Sequence, residues 1–319
     1  MQIDLGQFYF SLIVIGIIIL LGFFLGKTKK INENTNKQLV NLLLSVFMPA
    51  SLFNAFPYGM SEESYEMFVK GLIGGFIIMF AVIFVGKIIF HNKKVFKKEL
   101  SDEAQFAFAF NNATFLGYPL IAAAFGGDVL IAYCGFIIAF NLALFSYGVW
   151  LFQHKISWKF IINTIINPNV IAVVLGMILS LSNLREEVPS VINQSINYIA
   201  AATTPLSLIC IGYMLSTAKL KLVLKKWQLF IVALVQLTIA PLVTWGVLTI
   251  INLFIPTAFP VEVIVVCTLI QALPTATSLG LFAEKYGGDV GESSELVVIS
   301  TLMSVVTLPI ATMLLSNMI

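Results

Sequence analysis

Two proline-containing segments of the amino-acid sequence carry the side chains that could do chemistry. In the first, Asn112 and Thr114 precede Gly117 and Pro119 within an otherwise apolar stretch, and in the second Pro274 precedes a polar run. Proline removes a backbone donor and glycine relaxes the chain, so a helix is expected to break at both places. Half-helix ends offer unpaired N–H groups and partial positive charge to an anion. The predicted substrate-binding residues of the two segments are Asn112, Thr114, Gly117, Pro119, Pro274, Thr275, Thr277 and Ser278. The alternative is a pair of proline kinks that bind no ligand.

A third polar cluster, Asn167, Pro168 and Asn169, precedes another apolar run. Proline is favoured in the first turn of a helix, so the cluster is explained by a helix start alone. At the end of a membrane span its side chains could also close one end of a pocket, and Asn169 is therefore included among the candidate substrate-binding residues.

The composition indicates that these segments lie in a membrane. The chain has 319 residues, of which 59% are hydrophobic and 11% charged. Soluble domains average about 25% charged residues, so a water-soluble fold is excluded. The net charge of +2 does not suggest a nucleic-acid partner, and the three cysteines lie in apolar runs without the spacing of a metal site.

Charged residues divide the chain into apolar runs that predict ten membrane helices. The third run is short and is expected to extend by snorkelling of Lys70 and Lys87. The first run is not expected to be a cleaved signal peptide, since its apolar core is too long. The runs are 5–26, 38–61, 71–86, 104–127, 129–153, 160–184, 190–218, 227–261, 263–283 and 296–319.

Lysine and arginine in the short loops predict the orientation of these helices. The loops that follow predicted helices 1, 3, 5, 7 and 9 contain 16 of the 18 basic residues, which leaves only Lys70 and Arg185 on the opposite side. The odd-numbered loops are therefore expected in the cytoplasm, and both termini are expected outside.

Four short matches indicate an internal repeat. Residues 38–41 and 49–52 match residues 194–197 and 205–208, while 112–117 and 125–129 match 275–280 and 286–290. The matches predict that residues 1–153 form a first five-helix repeat and residues 160–319 a second. Because five is odd, the two repeats enter the membrane from opposite sides, which is the architecture of secondary transporters. A duplicated structural protein without transport is the alternative.

Several function classes lack the residues that they need. The two histidines, His91 and His154, fall in predicted loops, and no acidic residue lies in the middle of a predicted span. Intramembrane catalysis needs buried carboxylates, a metal or an activated nucleophile, so no enzyme, cofactor or metal site is predicted. A channel needs a charged ring or a carbonyl filter, for which no periodic pattern is present.

These motifs resemble those of the auxin efflux carrier family, which includes bacterial malate or malonate permease-like proteins. The resemblance covers nearly the whole chain and rests on the segments 112–119, 167–169, 271–274 and 282–286. It implies a ten-helix inverted-repeat fold in which broken helices 4 and 9 cross at their prolines. It also implies a scaffold of helices 1, 2, 6 and 7, a moving transport part of helices 3–5 and 8–10, and a homodimer formed through the scaffold.

Family members export carboxylates, so the resemblance implies that Asn112 and Asn169 contact a substrate carboxylate. The loop between helices 5 and 6 spans only about 153–160, unlike the long loop of the plant carriers, so regulation through it is not expected. The expected function is a secondary transporter that exports small organic anions across a bacterial inner membrane by an elevator-type mechanism. The alternatives are a sodium- or proton-coupled uptake carrier and an anion channel.

Overall fold

The computed structural model of the protein describes residues 5–57, 60–90, 98–154, 162, 166–217 and 226–318. Within those ranges every regular element is helical, and the one extended pairing is an isolated antiparallel bridge between Asn111 and Thr275. The all-helical fold predicted from the sequence is thereby confirmed.

The first half of the chain contains helices that are interrupted at three places by π-helical turns. These turns are Leu43–Phe47, Ala113–Gly117 and Leu144–Gly148. The α-helices are α1 (Leu5–Lys27), α2 (Glu33–Leu42), α3 (Met48–Asn54), α4 (Glu62–Phe90), α5 (Lys98–Ala109), α6 (Tyr118–Ala124), α7 (Gly127–Ala143) and α8 (Val149–Gln153).

The second half repeats the alternation of long and broken helices. A proline lies inside two of its long helices, Pro241 in the first and Pro309 in the second. The α-helices are α9 (Pro168–Leu181), α10 (Ser190–Ala201), α11 (Thr203–Thr217), α12 (Trp227–Phe254), α13 (Val261–Gln271), α14 (Leu279–Tyr286) and α15 (Val290–Met318).

Six helical segments in the described residues are long and apolar enough to cross a membrane. Three shorter apolar helices are Ala113–Ala124, Pro168–Leu181 and Val261–Gln271. The ten spans and their 5+5 arrangement therefore stay a prediction. The six long segments are Gly6–Lys27, Glu62–Phe90, Gly127–Gln153, Ser190–Thr217, Trp227–Phe254 and Val290–Asn317.

Helix α4 is longer than the run 71–86 that the charge pattern predicts. It begins at Glu62, so its first turns contain charged residues. Lys70 pairs with Glu66 at 2.5 Å and donates a hydrogen bond to the Thr257 carbonyl oxygen at 3.0 Å. Apolar side chains of α4 at a spacing of four residues are exposed, as expected of a face that contacts lipid. These side chains are Phe76, Phe80, Phe84 and Ile88.

Glycines bring two pairs of helices into close contact. Helix α1 packs against α11, where a Cβ at Gly212 would collide with the Ile19 carbonyl oxygen. Helix α4 packs against α7, where a Cβ at Gly135 would collide with the Phe68 carbonyl oxygen. Small residues at such crossings let backbones approach closely in membranes, where dispersion contacts rather than the hydrophobic effect hold helices together.

The remaining contacts divide the helices into two groups. In the first group, α9 and α10 pack against α3, and α1 packs against α11. In the second, α12 packs against α13 and α15, while α4 packs against α5 and α7. The two groups meet mainly where α1 and α11 contact α6 and its preceding π-helical turn.

Candidate functional site

The first break in a helix lies between α5 and α6. Helix α5 ends at Ala109, and the chain resumes helical geometry in the π-helical turn that begins at Ala113. The side chain of Asn112 caps this turn, because its Oδ1 accepts a hydrogen bond from the Phe115 N–H at 3.2 Å. Pro119 lies directly after this π-helical turn within the continuous helical segment Ala113–Ala124, so its missing N–H removes one helical hydrogen bond there.

The second break lies between α13 and α14. Residues 272–278 are not helical, and Pro274 stands in the middle of them. The freed Thr275 N–H donates to the Ser300 Oγ of α15 at 3.1 Å, and the Leu273 carbonyl oxygen accepts from Gln236 of α12 at 2.6 Å. Neighbouring helices thus satisfy the backbone groups that the break releases, as a membrane interior requires.

The two breaks contact each other through their backbones. The Asn112 N–H donates to the Pro274 carbonyl oxygen at 2.7 Å, and the Ala276 N–H donates to the Phe110 carbonyl oxygen at 3.0 Å. One side-chain contact joins the same segments, since Asn111 Nδ2 donates to Gln271 Oε1 at 2.8 Å. The breaks are therefore a single structural unit, although they lie more than 150 residues apart in the sequence.

A cavity of about 510 Å³ lies beside this unit. Its inner end is buried, with Asn111 and Asn112 only 1% and 2% exposed, while Asn41, Pro168 and Leu281 at its other end are exposed. None of the described residues that line it is charged. They are Asn41, Leu44, Ser45, Asn111, Asn112, Thr114, Phe115, Phe140, Asn141, Leu144, Phe145, Asn167, Pro168, Asn169, Ala276, Thr277, Ser278, Leu281 and Phe282.

Three helix N-termini border the cavity. Asn112 precedes the turn that leads into α6, Asn167 caps α9 by accepting from the Asn169 N–H at 2.9 Å, and Ser278 precedes α14. Each N-terminus contributes unsatisfied N–H groups and roughly half a positive charge. These N–H groups could bind an anion in a cavity without charged lining residues.

Two buried amides among the lining residues each have one unpaired polar atom. Asn112 Nδ2 and Asn169 Oδ1 have no hydrogen-bond partner among the residues that the structure describes. Burying an unpaired polar group costs free energy, so a hydrogen bond to a bound ligand is one explanation for such a group. Asn112 offers a free donor to a carboxylate, and a half-turn of the Asn169 amide would offer a second.

Five of the nine predicted site residues line the cavity, and the other four are not among its lining residues. Of these four, Gly117 lies close to Leu273, Pro119 follows the π-helical turn, Pro274 accepts the Asn112 hydrogen bond, and Thr275 is fully buried. The residues that line the cavity are Asn112, Thr114, Asn169, Thr277 and Ser278.

Other polar residues line the cavity without having been predicted. Ser45 comes from the π-helical turn after α2, and Asn141 comes from α7. Asn141 is buried in an otherwise apolar helix, and a lone amide within a membrane span is the signal that would have identified it. In the described part of the chain, no group of three or more His, Cys, Asp or Glu side chains is arranged to hold a metal ion.

Comparison with known proteins shows the family of the chain. Residues 8–153 and 151–312 match a family model described as membrane transport protein. The chain belongs to this family. The family contains the auxin efflux carriers, so the resemblance of the sequence motifs is confirmed. An uncharacterized transporter of Methanocaldococcus jannaschii is 28% identical over 218 residues, which cover 66% of this chain and 69% of that protein.

Family membership and the apolar helices together identify the chain as a multi-pass membrane protein of a transporter family, not of an enzyme family. The substrate-binding assignments of individual residues stay predictions.

Proposed function

We propose that this member of the membrane transport protein family is a secondary transporter that exports small organic anions, with a carboxylate bound in the cavity at the two breaks. One observation carries the proposal: three helix N-termini and the unpaired amide of Asn112 border a cavity without charged side chains. Neutral donors compensate an anion and still let it leave, whereas a buried lysine or arginine would hold it more tightly.

The proposed orientation makes the cavity open to the cytoplasm. Its exposed end lies at Asn41 and Leu281, which are close in sequence to Lys37 and Lys285. Because lysine-rich loops face the cytoplasm, the substrate would enter from inside the cell, as an exporter requires. The protein would lie in the inner membrane of a bacterium, and both of its termini would be on the outer side of that membrane.

Labelling of single cysteines tests this orientation, because the native cysteines Cys134, Cys210 and Cys267 are buried. Cysteines introduced at the exposed residues Ser61 and Asn183 are expected to react from outside intact cells. A cysteine at Asn32 is expected to react only after permeabilisation. The reverse pattern would contradict the assignment by charge.

The helix contacts support a division into scaffold and transport parts. In the predicted repeat, α1 corresponds to α9 and α3 corresponds to α11. The contact of α1 with α11 in one half-to-half pairing therefore corresponds to the contact of α9 with α3 in the other. The contact of α4 with α7 likewise corresponds to that of α12 with α15. We therefore propose that α1–α3 and α9–α11 form the scaffold and that the other helices form the transport part.

An elevator mechanism follows from this division. The cavity is lined by α2, α9 and the turn after α2 on one side, and by residues of both breaks on the other. Movement of the transport part along the scaffold would carry the anion across the membrane together with the breaks. The homodimer through the scaffold stays a prediction from the family resemblance.

The competing proposals differ in measurable ways. A sodium-coupled carrier could use Thr114, Thr277 and Ser278 hydroxyls at the breaks, but none of the described lining residues supplies a carboxylate. An anion channel requires a continuous path, whereas the cavity narrows to the buried contact between Asn112 and Pro274. Saturable countertransport in proteoliposomes would favour a carrier, and large unitary currents would favour a channel.

The decisive experiment is a thermal-stability screen of the purified protein with mono- and dicarboxylates. A ligand that binds only the folded protein raises its melting temperature in a concentration-dependent way. The Asn112→Ala variant should lose the shift, and the Asn317→Ala variant, altered at an exposed position near the end of α15, should keep it. A melting-temperature shift of equal size in both variants would show that Asn112 at the first break does not contribute to anion binding.

A further inference from the structure

A second polar cavity lies at the far ends of the half-helices that meet at the breaks. It has a volume of about 220 Å³ and lies between the start of α5, the end of α8 and the turn that joins α14 to α15. Three acidic residues and one histidine line it, in contrast to the uncharged anion cavity. The lining residues are Asp102, Glu103, Phe152, His154, Gly287, Gly288 and Asp289.

Glu103 is the group in this cavity whose environment is unusual. The residue is 1% exposed, and its Oε1 accepts a hydrogen bond from the Asp289 N–H at 2.9 Å. Its other carboxyl oxygen, Oε2, is buried and has no hydrogen-bond partner within the described ranges. A buried carboxylate with one unpaired oxygen is costly when ionised, and protonation of that oxygen removes the buried charge and so lowers the cost.

The neighbouring charges also disfavour ionisation. Burial, with smaller contributions from Asp102 and Glu292, raises the pKa of the Glu103 carboxyl to about 7 against the lowering effect of the Asp289 N–H. His154 lies beside Asp102, with 3.8 Å between Nε2 and Oδ2. The elements that pack against α5 also carry Lys87 in the last turn of α4, Glu284 and Lys285 in α14, and Glu295 in α15, and Lys226 directly precedes α12. The other charged residues of α4, in its first turns, are Glu62, Glu63, Glu66 and Lys70.

The contact at Glu103 joins the two half-helices α5 and α14 at their ends far from the breaks. Glu103 belongs to α5, which ends at the first break, and Asp289 follows α14, which begins at the second. Gly288 allows the approach, because a Cβ there would lie 2.9 Å from Glu103 Oε1. Between the two cavities, the ring of Phe106 lies 5.2 Å from that of Phe282 and 5.8 Å from that of Phe152.

We propose that Glu103 is a proton-binding site through which pH on its side of the membrane controls the packing of α5 against the turn between α14 and α15, and with it the anion cavity. When Glu103 is protonated, the half-helices stay in contact. When it ionises, the negative charge faces Asp102, Asp289 and Glu292, and water enters the small cavity. The effect on transport rests on the proposed function, whereas the proton site itself does not.

Infrared spectroscopy of the full-length protein at different pH values tests the proton site directly. The carbonyl-stretch absorbance of one protonated carboxyl group is expected to disappear between pH 6 and pH 8, with a midpoint at about 7. The Glu103→Gln variant should lack this change. Glu66→Gln, which removes an exposed carboxylate of α4, should retain it. An unchanged titration in Glu103→Gln would overturn the proposal.

Asp102→Asn is a second variant that keeps the Glu103 carboxyl. It removes a neighbouring negative charge, so the midpoint of the same titration should move to lower pH. This variant keeps the proposal testable if Glu103→Gln does not fold, and an unchanged midpoint would count against the arrangement of charges described above.

Hydrogen–deuterium exchange tests the consequence for packing without any transported anion. At pH 8, peptides that cover residues 279–295 should exchange faster in the wild type than in Glu103→Gln, and at pH 6 the two should be equal. Comparison at a single pH cancels the intrinsic pH dependence of exchange. Equal exchange at pH 8 would refute control of packing by Glu103. Failure of anion transport alone would leave both measurements unaffected and would contradict only the proposed function.

Discussion

The two helix breaks share one backbone arrangement and differ in their side chains. Each break donates one N–H to a carbonyl of the other, from Asn112 to Pro274 and from Ala276 to Phe110. The first break carries two amides, Asn111 and Asn112, whereas the second has Thr275 and Ala276 at the corresponding positions of the isolated bridge. The backbone contacts are nearly symmetric, and the chemistry is not.

This difference separates two requirements of alternating access. In the proposed mechanism, inverted halves that exchange conformations need equivalent backbones, because the two states are approximately related by a two-fold rotation about an axis in the membrane plane. Binding needs a particular set of donors, which can come mostly from one half. The unpaired Nδ2 of Asn112 is the available donor of the first break, while hydroxyl groups of Thr277 and Ser278 line the cavity from the second.

The largest expected effect is the loss of an amide from the cavity. Asn112→Ala removes the free donor and the cap of the π-helical turn, so anion binding should weaken by about 1–3 kcal/mol, the cost of a charge-assisted hydrogen bond. Asn169→Ala should cause a comparable loss. Calorimetric or thermal-shift titration with the best anion of the stability screen measures both effects. Unaltered affinity in the two variants, at normal folding, would exclude these amides from the site.

The next effect concerns the side-chain contact between the breaks. Asn111 and Gln271 are 1% and 0% exposed, so removal of either partner leaves a buried polar group unpaired and should cost about 1–3 kcal/mol of stability. The double variant Asn111→Ala with Gln271→Ala should cost less than the sum of the single variants, by roughly 1 kcal/mol. Unfolding temperatures of the four proteins give the coupling, and strict additivity would show that the contact does not join the breaks energetically.

Removal of a hydroxyl from the second break should have a smaller effect. Ser278 lines the cavity and is only partly buried, so Ser278→Ala should weaken anion binding by about 0.5–1.5 kcal/mol, as for a neutral hydrogen bond. The same titrations as for Asn112→Ala measure this effect. A loss as large as that of Asn112→Ala would mean that the two breaks contribute equally to binding and would remove the asymmetry.

The breaks were predictable from the sequence because proline and glycine act locally. Pro119, Gly117 and Pro274 mark the two segments, and the structure has non-helical residues at 110–112 and at 272–278. Local rules also predicted the helical class of the fold. The predicted run 190–218 ends within one residue of α11, whereas the run 227–261 extends beyond the end of α12 at Phe254. The start of α4 at Glu62 was missed because acidic residues are good helix formers that a charge criterion excludes.

The set of residues that line the cavity was less predictable, because it depends on which helices pack against one another. Ser45 and Asn141 reach the cavity through contacts among helices distant in the sequence, and no local signal accompanies Ser45. Thr275 shows the opposite case. Its position beside Pro274 predicts a ligand contact. In the structure it is fully buried and not among the lining residues, its N–H donates to Ser300, and its hydroxyl has no hydrogen-bond partner among the described residues, so the contact stays a prediction. Polarity near a break predicts the site, and only tertiary structure decides which way each side chain points.

The smallest expected effect is that of an ion gradient on anion transport, because we predict that neither a sodium nor a proton gradient drives it. The hydroxyls that could bind sodium are divided, since Thr114, Thr277 and Ser278 line the cavity and Thr275 does not. An anion that leaves a cell with a negative interior already gains about 2.3 kcal/mol per charge per 100 mV, so export needs no coupled ion. We therefore expect electrogenic uniport. In proteoliposomes, potassium with valinomycin can clamp the voltage while the sodium gradient is varied, and external pH can be varied at constant pH on the side of Glu103. Transport should follow the clamp and ignore both gradients, whereas concentrative uptake driven by sodium or protons at zero voltage would show that the second break binds a coupling ion.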